Sequence, residues 1–258
     1  MKFKYEKLLQ ATFLIWPSLL IPRLVPVFDQ FLLSKGESDL VIVFSILFLS
    51  LTPIRIASNI LSRVVTIFHS KSEAEGNTLV RLNGGTMALS WISCIGFSLF
   101  SLGITGYMFG KSQVAWSDIV VTCLALSTIA GGLSLLNNVA RFSLFTSHQE
   151  HNILKVDLGI AVIISILKYC YFFFFPADWT SIVAIMVLNL AEQILISLFF
   201  SRWMSFMPIW KELSHNFKRA RNIIGTESVL MAIILIEPLA YAWTFSALGR
   251  ADFLGTYT

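Results

Sequence analysis

The sequence predicts an all-α fold, a polytopic membrane helical bundle of about seven transmembrane helices with a cytoplasmic N-terminus. Three observations predict it. The 258 residues are 56% hydrophobic and 13% charged, with a mean hydropathy of +0.75, whereas soluble domains carry roughly one-quarter charged residues. Apolar runs near the roughly 20 residues that a helix needs to cross the hydrocarbon recur along the whole length, which leaves no room for a soluble catalytic domain of ordinary size. Lysine and arginine gather in alternate connections, as the positive-inside rule expects. The alternating ten-residue segments of a membrane barrel are not found.

The first span is read at 8–33. MKFKYEKLLQATFLIWP has a basic start but no small-residue cleavage site, so a retained span is expected rather than a signal peptide. Its later part, IWPSLLIPRLVPVFDQFL, carries Pro17, Pro22 and Pro26 together with Arg23 and Asp29. Prolines remove backbone donors and divide a helix into short pieces, which is tolerated where neighbours or water satisfy the freed carbonyls. The second span, 40–62, repeats the device in LTPIRIASNILSR, where Pro53 is followed by Arg55 and Asn59 at the i,i+4 spacing of one helix face. HSKSEAEGNTLVRLNGG then reads as a solvated loop across 62–84.

The third span, 85–109, is a plain apolar run. The fourth, 117–141, ends in AGGLSLLNNVARF, in which Gly131 and Gly132 permit close helix approach or a kink, and Asn137, Asn138 and Arg141 crowd the terminus. Lys168 interrupts the fifth span, 156–176, and Glu192 lies in the sixth, 179–201. RWMSFMPIWKELSHNFKRARN follows, with Trp, Phe and Met interleaved with bases, which suits either a linker or an interfacial amphipathic helix. The seventh span, 228–248, contains Glu237-Pro238. The resulting division is a six-helix bundle at 1–201, a basic cytoplasmic loop at 202–227, and a seventh helix with a short outer tail at 228–258.

Counted over the connections, thirteen lysines and arginines fall on the N-terminal side and three, Lys35, Lys111 and Arg250, on the other. That asymmetry orients the N-terminus inward. It also accounts for the formal net charge of +4 without nucleic acid as a partner. Cys94, Cys123 and Cys170 all lie in apolar runs without paired spacing, and read as small core residues. All four histidines fall in connections. No HExxH, no GxSxG elbow and no nucleotide-binding glycine fingerprint occurs, so the expectation is of no enzyme, no metal and no cofactor.

Six ionisable residues lie inside the predicted spans: Arg23, Asp29, Arg55, Lys168, Glu192 and Glu237. On insertion scales each costs roughly 2.5–3.5 kcal/mol at the centre of a helix. One reading is a polar cavity that binds a charged or amphipathic solute through Arg23, Arg55, Asn59 and Glu192, with Asp29 and Glu237 as ion-coupling groups. The other is a set of interhelical ion pairs, with Lys168 snorkelling to an interface and Asp29 exposed near the outer end of its span. Charge signs alone do not identify partners.

Taken together, Pro-rich span one ending with Asp29 and Gly36, the Asn137-to-Arg141 pattern and the basic loop after span six resemble the MATE-like flippases and exporters of the multidrug/oligosaccharidyl-lipid/polysaccharide superfamily. LGRADFLGT, from Leu248, is similar to the segment after the first helix of such bundles, which makes span seven the first helix of a second bundle. The resemblance implies a membrane transporter or flippase for a small organic or lipid-linked substrate, working by alternating access in a bacterial inner membrane. Such transporters move two bundles about a central site. One bundle and a start then imply a homodimer, other membrane subunits, a non-transporting scaffold or assembly subunit, or a truncated inactive transporter.

Overall fold

A computed structural model describes Leu20 and residues 24–36, 38–75, 79–111, 118–146, 149–214, 217, 218, 220–226 and 229. Predicted span seven, with Glu237, and most of span one, with Arg23, lie outside the described residues. Among the described residues the fold is an all-α bundle in which four helical stretches are long and apolar enough to cross a membrane: Leu40–Phe68, Gly85–Tyr107, Asp118–Thr146 and Trp179–Phe200. The helices are α1 (Leu24–Leu33), α2 (Ser38–Ser50), α3 (Thr52–Glu75), α4 (Leu79–Lys111), α5 (Asp118–Thr146), α6 (Glu150–Phe174) and α7 (Trp179–Phe200).

Pro53 breaks a helical ladder, dividing the second span into α2 and α3. Proline cannot donate to the carbonyl of Leu49; the Thr52 hydroxyl does so instead, at 2.6 Å, and the Arg55 N–H resumes the helix by bonding to Leu51 at 3.1 Å. Beyond the span, α3 runs on to Glu75 and α4 begins at Leu79, so most of the expected loop at 62–84 is helix. The reason is local: SKSEAE contains no breaker, and Gly76-Asn77 is the first one met.

α5 is the hub, packed against α3, α4 and α7 and more lightly against α6 and α2. Gly131 and Gly132 let it approach two neighbours at once. A Cβ on Gly131 would lie 3.0 Å from Leu51, and one on Gly132 would lie 2.7 Å from the Cys94 sulfur. One apolar cluster joins α3, α4, α5, α6 and α7 around Val64, Met87, Leu135, Val139, Ile153 and Phe200. A second joins α1, α2, α5 and α7 around Leu33, Val43, Leu47, Cys123 and Ile185. Outward faces are apolar as well: Leu99, Phe100, Ile163, Ile166, Phe173 and Leu198 are exposed. Such a surface suits lipid rather than water. Cys170 is also exposed, contrary to the expectation of a core residue, because α6 turns a broad face outward there.

α7 opens with a capping box. The Asp178 carboxylate accepts from the backbone N–H groups of Thr180 and Ser181, and the Asp178 N–H donates to the Ser181 hydroxyl at 3.1 Å. After α7, residues 201–208 fold back on the bundle, held by the Trp91 indole donating to the Phe206 carbonyl at 3.1 Å.

Candidate functional site

Polar residues recur on the inner face of α7 at Asn189, Glu192, Gln193 and Ser197, the three- and four-residue spacing of a single helical stripe. On α6, Asp157 and Lys168 are eleven residues apart, three turns and about 16 Å along the axis, so they too share a face. Where α6 and α7 pack together and α5 covers them, these side chains meet in one polar seam.

At one end of the seam, the Lys168 ammonium donates to Asp29 Oδ1 and to Asn189 Oδ1, each at 2.6 Å. The Asn189 amide donates in turn to Asp29 Oδ2 at 3.1 Å, closing a ring that ties α1, α6 and α7. Lys168 is 1% and Asp29 0% exposed. Both expectations of exposure therefore fail: Lys168 does not snorkel and Asp29 does not sit in solvent. A carboxylate and an ammonium that satisfy each other lose less by burial than either alone.

The other end is held by Arg141. Its guanidinium grips Asp157 with two bonds, Nε to Oδ2 at 2.8 Å and Nη2 to Oδ1 at 2.9 Å, the fork geometry that arginine supplies and lysine does not. Nη1 donates to Asn138 Oδ1 at 2.9 Å. The Asn138 amide donates to the Ser58 hydroxyl at 2.7 Å, which brings α3 into the network. Between the two ion pairs, the Asn137 amide donates to the Gln193 carbonyl and side-chain oxygen at 2.9 and 3.1 Å. The Ser197 hydroxyl donates to Asn137 Oδ1 at 2.7 Å. Glu192 is buried in this middle stretch, within electrostatic range of Lys168, Asp29, Asp157 and Arg141.

Of the residues singled out from sequence, Asp29, Asn137, Asn138, Arg141, Lys168 and Glu192 belong to the seam. Arg55 and Asn59 do not: both are solvent-accessible on α3, with the Arg55 guanidinium 3.4 Å from the centre of the Phe48 ring, a cation–π arrangement. No hydrogen bond or ion pair joins them to Glu192 among the described residues. Arg23 and Glu237 lie outside those residues. Sequence reasoning missed Asp157, Asn189, Gln193 and Ser197. The eleven-residue step from Asp157 to Lys168 and the four-residue steps along α7 were the available signals.

Chemically, the seam can hold fixed charges of both signs inside an apolar shell and let them change partners without reaching lipid. Among the described residues no cluster of His, Cys, Asp and Glu is arranged to hold a metal ion. Compared with protein families, with curated proteins and with solved structures, the chain matches none. Its own helices and buried charges make it a polytopic, mostly helical membrane protein with several long apolar helices.

Proposed function

We propose that this chain is a membrane transporter or flippase for an organic or lipid-linked solute, with its N-terminus in the cytoplasm of a bacterial cell. The observation that carries the reading is the seam itself: two buried ion pairs, Lys168–Asp29 and Arg141–Asp157, with the Asn137–Gln193 amide bonds lying between them, the whole drawing on five helices. Charges at membrane depth are expensive, and are by default candidates for a solute or ion path. Apolar side chains of similar volume would hold the same helices together at no less stability. On the MATE-like reading, residues 1–201 are the first bundle, and a second copy or another subunit supplies the second.

A fluorophore-labelled polyprenyl phosphate in phosphatidylcholine/phosphatidylglycerol vesicles, bleached from outside by dithionite, tests this. Vesicles holding the purified chain are expected to bleach beyond the outer-leaflet fraction. The charge-neutral pair Asp29→Asn with Lys168→Met is expected to lose that excess while remaining folded. Bleaching that stops at the outer-leaflet fraction in wild-type vesicles overturns the flippase reading for this solute class. A second reading, a non-transporting assembly subunit, draws on Arg55 and Asn59, which are accessible on α3 and offer polar contacts to a neighbouring protein. Native mass spectrometry in mild detergent bears on both, since a strict monomer supports neither a reconstituted second bundle nor a scaffold.

A further inference from the structure

Among the described residues, three carboxylates share two cations in the seam. Lys168 is held by Asp29 and Arg141 by Asp157, and Glu192 is left with no hydrogen-bond or ion-pair partner among the described residues although it is only 7% exposed. The charged groups facing it are Lys168 and Asp157 from α6, Arg141 from α5 and Asp29 from α1. α2, which also touches α7, presents only apolar residues and Ser45 between Leu40 and Leu49. With all five groups ionised, the seam would carry one uncompensated negative charge in an apolar shell, the costliest arrangement available to it. A bound metal ion is a poor remedy, because hard cations take six or more oxygen ligands or several waters, and no metal-holding cluster occurs among the described residues.

We propose that Glu192 is a proton-binding site. One proton from water loads the carboxyl and neutralises the seam, and the same proton returns to water on release. The bare carboxylate then competes with Asp29 for Lys168 and with Asp157 for Arg141. The consequence is mechanical: a Lys168 drawn to Glu192 ties α6 to α7 and lets go of α1, the helix that follows the proline-rich stretch. Proton loading thus decides which helices the ion pairs join. This holds whether or not the chain moves a solute, so its test is separate from the vesicle assay.

Attenuated total reflection infrared spectra of the full chain in lipid, recorded as acid-minus-base differences, read the carboxyl directly. The wild type is expected to show a buried-carboxyl C=O band that gains intensity on acidification and moves in heavy water. In Glu192→Gln that band is lost while the amide bands stay those of the wild type; in Glu192→Asp it returns at a shifted frequency. A wild type without a titrating buried-carboxyl band overturns the proposal. So does a band of unchanged size in Glu192→Gln, or, should that variant fail to fold, a band of unchanged frequency in Glu192→Asp. A band behaving as expected in a protein that moves no labelled lipid leaves the proton site standing and removes the flippase reading alone.

Discussion

Replacing Lys168 by methionine keeps an unbranched chain of similar length and removes only the ammonium. Asp29, 0% exposed, then retains the Asn189 amide at 3.1 Å and, among the described residues, no cation within bonding distance. At the 2.6 Å separation of the pair, the Coulomb attraction is about 6 kcal/mol for an effective dielectric of about 20. Much of it offsets the desolvation of both groups, and stranding one buried partner has a net cost of about 3–5 kcal/mol. Adding Asp29→Asn removes the stranded charge, so the double variant is expected to recover most of the loss. The assay is equilibrium unfolding in mixed micelles, followed by tryptophan fluorescence and analysed as a double-mutant cycle. A coupling of about 3 kcal/mol, more than a hundredfold in the unfolding constant, is the expected result. A single variant with the wild-type midpoint, or a double variant as unstable as both losses added, refutes the view that the pair holds α1 to α6.

Arg141→Lys keeps the charge but loses the two-point grip on Asp157 and the bond to Asn138; the same unfolding assay is expected to show a loss of about 1.5–3 kcal/mol. Gly36→Ala places a Cβ 2.5 Å from the carbonyl oxygen of Ala177. Because the obstacle is backbone, overpacking of about 1–3 kcal/mol is expected in thermal melts. Gly132→Ala clashes with the Cys94 sulfur, at 2.7 Å, while Ser98 Oγ lies at an ordinary contact distance of 3.7 Å, and adding Cys94→Ala is expected to restore the wild-type melting temperature. At the head of α7, the Thr180 hydroxyl and then the Ser181 and Thr180 N–H groups hold the Asp178 carboxyl below its ordinary value of 3.8. A depressed folded-state value gives stability that is present above the ordinary range and lost as pH falls through the folded value. Asp178→Ala is therefore expected to cost about 1 kcal/mol near neutral pH, with its melting curve converging on the wild type's in acid below the ordinary carboxylate range.

Much of this molecule is legible from the linear pattern. Apolar runs of bilayer length foretell helices over 85–109, 117–141, 156–176 and 179–201, and α4, α5, α6 and α7 match them to within two residues at the ends that fall short. Boundaries went astray where polar sequence continues a helix into water, as in SKSEAE after Phe68. Composition locates the edge of the hydrocarbon, but a helix stops only where a breaker or a cap stops it. Pro53 and the Gly131-Gly132 pair were visible as devices, though not the neighbours they serve. Their partners, the Leu49 carbonyl, Leu51 and Cys94, depend on how α2, α3 and α4 lie against α5.

By itself, the sequence determined that this chain lives in a bilayer as a helical bundle and that a few of its charges must be sheltered there, because burial energy and insertion cost depend on composition along one helix at a time. Which charges shelter one another was decided only by tertiary structure. Lys168 and Asp29 are 139 residues apart, and no local rule joins them; α1, α6 and α7 must pack before the pair exists. The same packing commits Arg141 to Asp157 and leaves Glu192 as the carboxylate of the seam without a bonded cation among the described residues. That outcome is a property of charge counting within one enclosed space, which no single span contains.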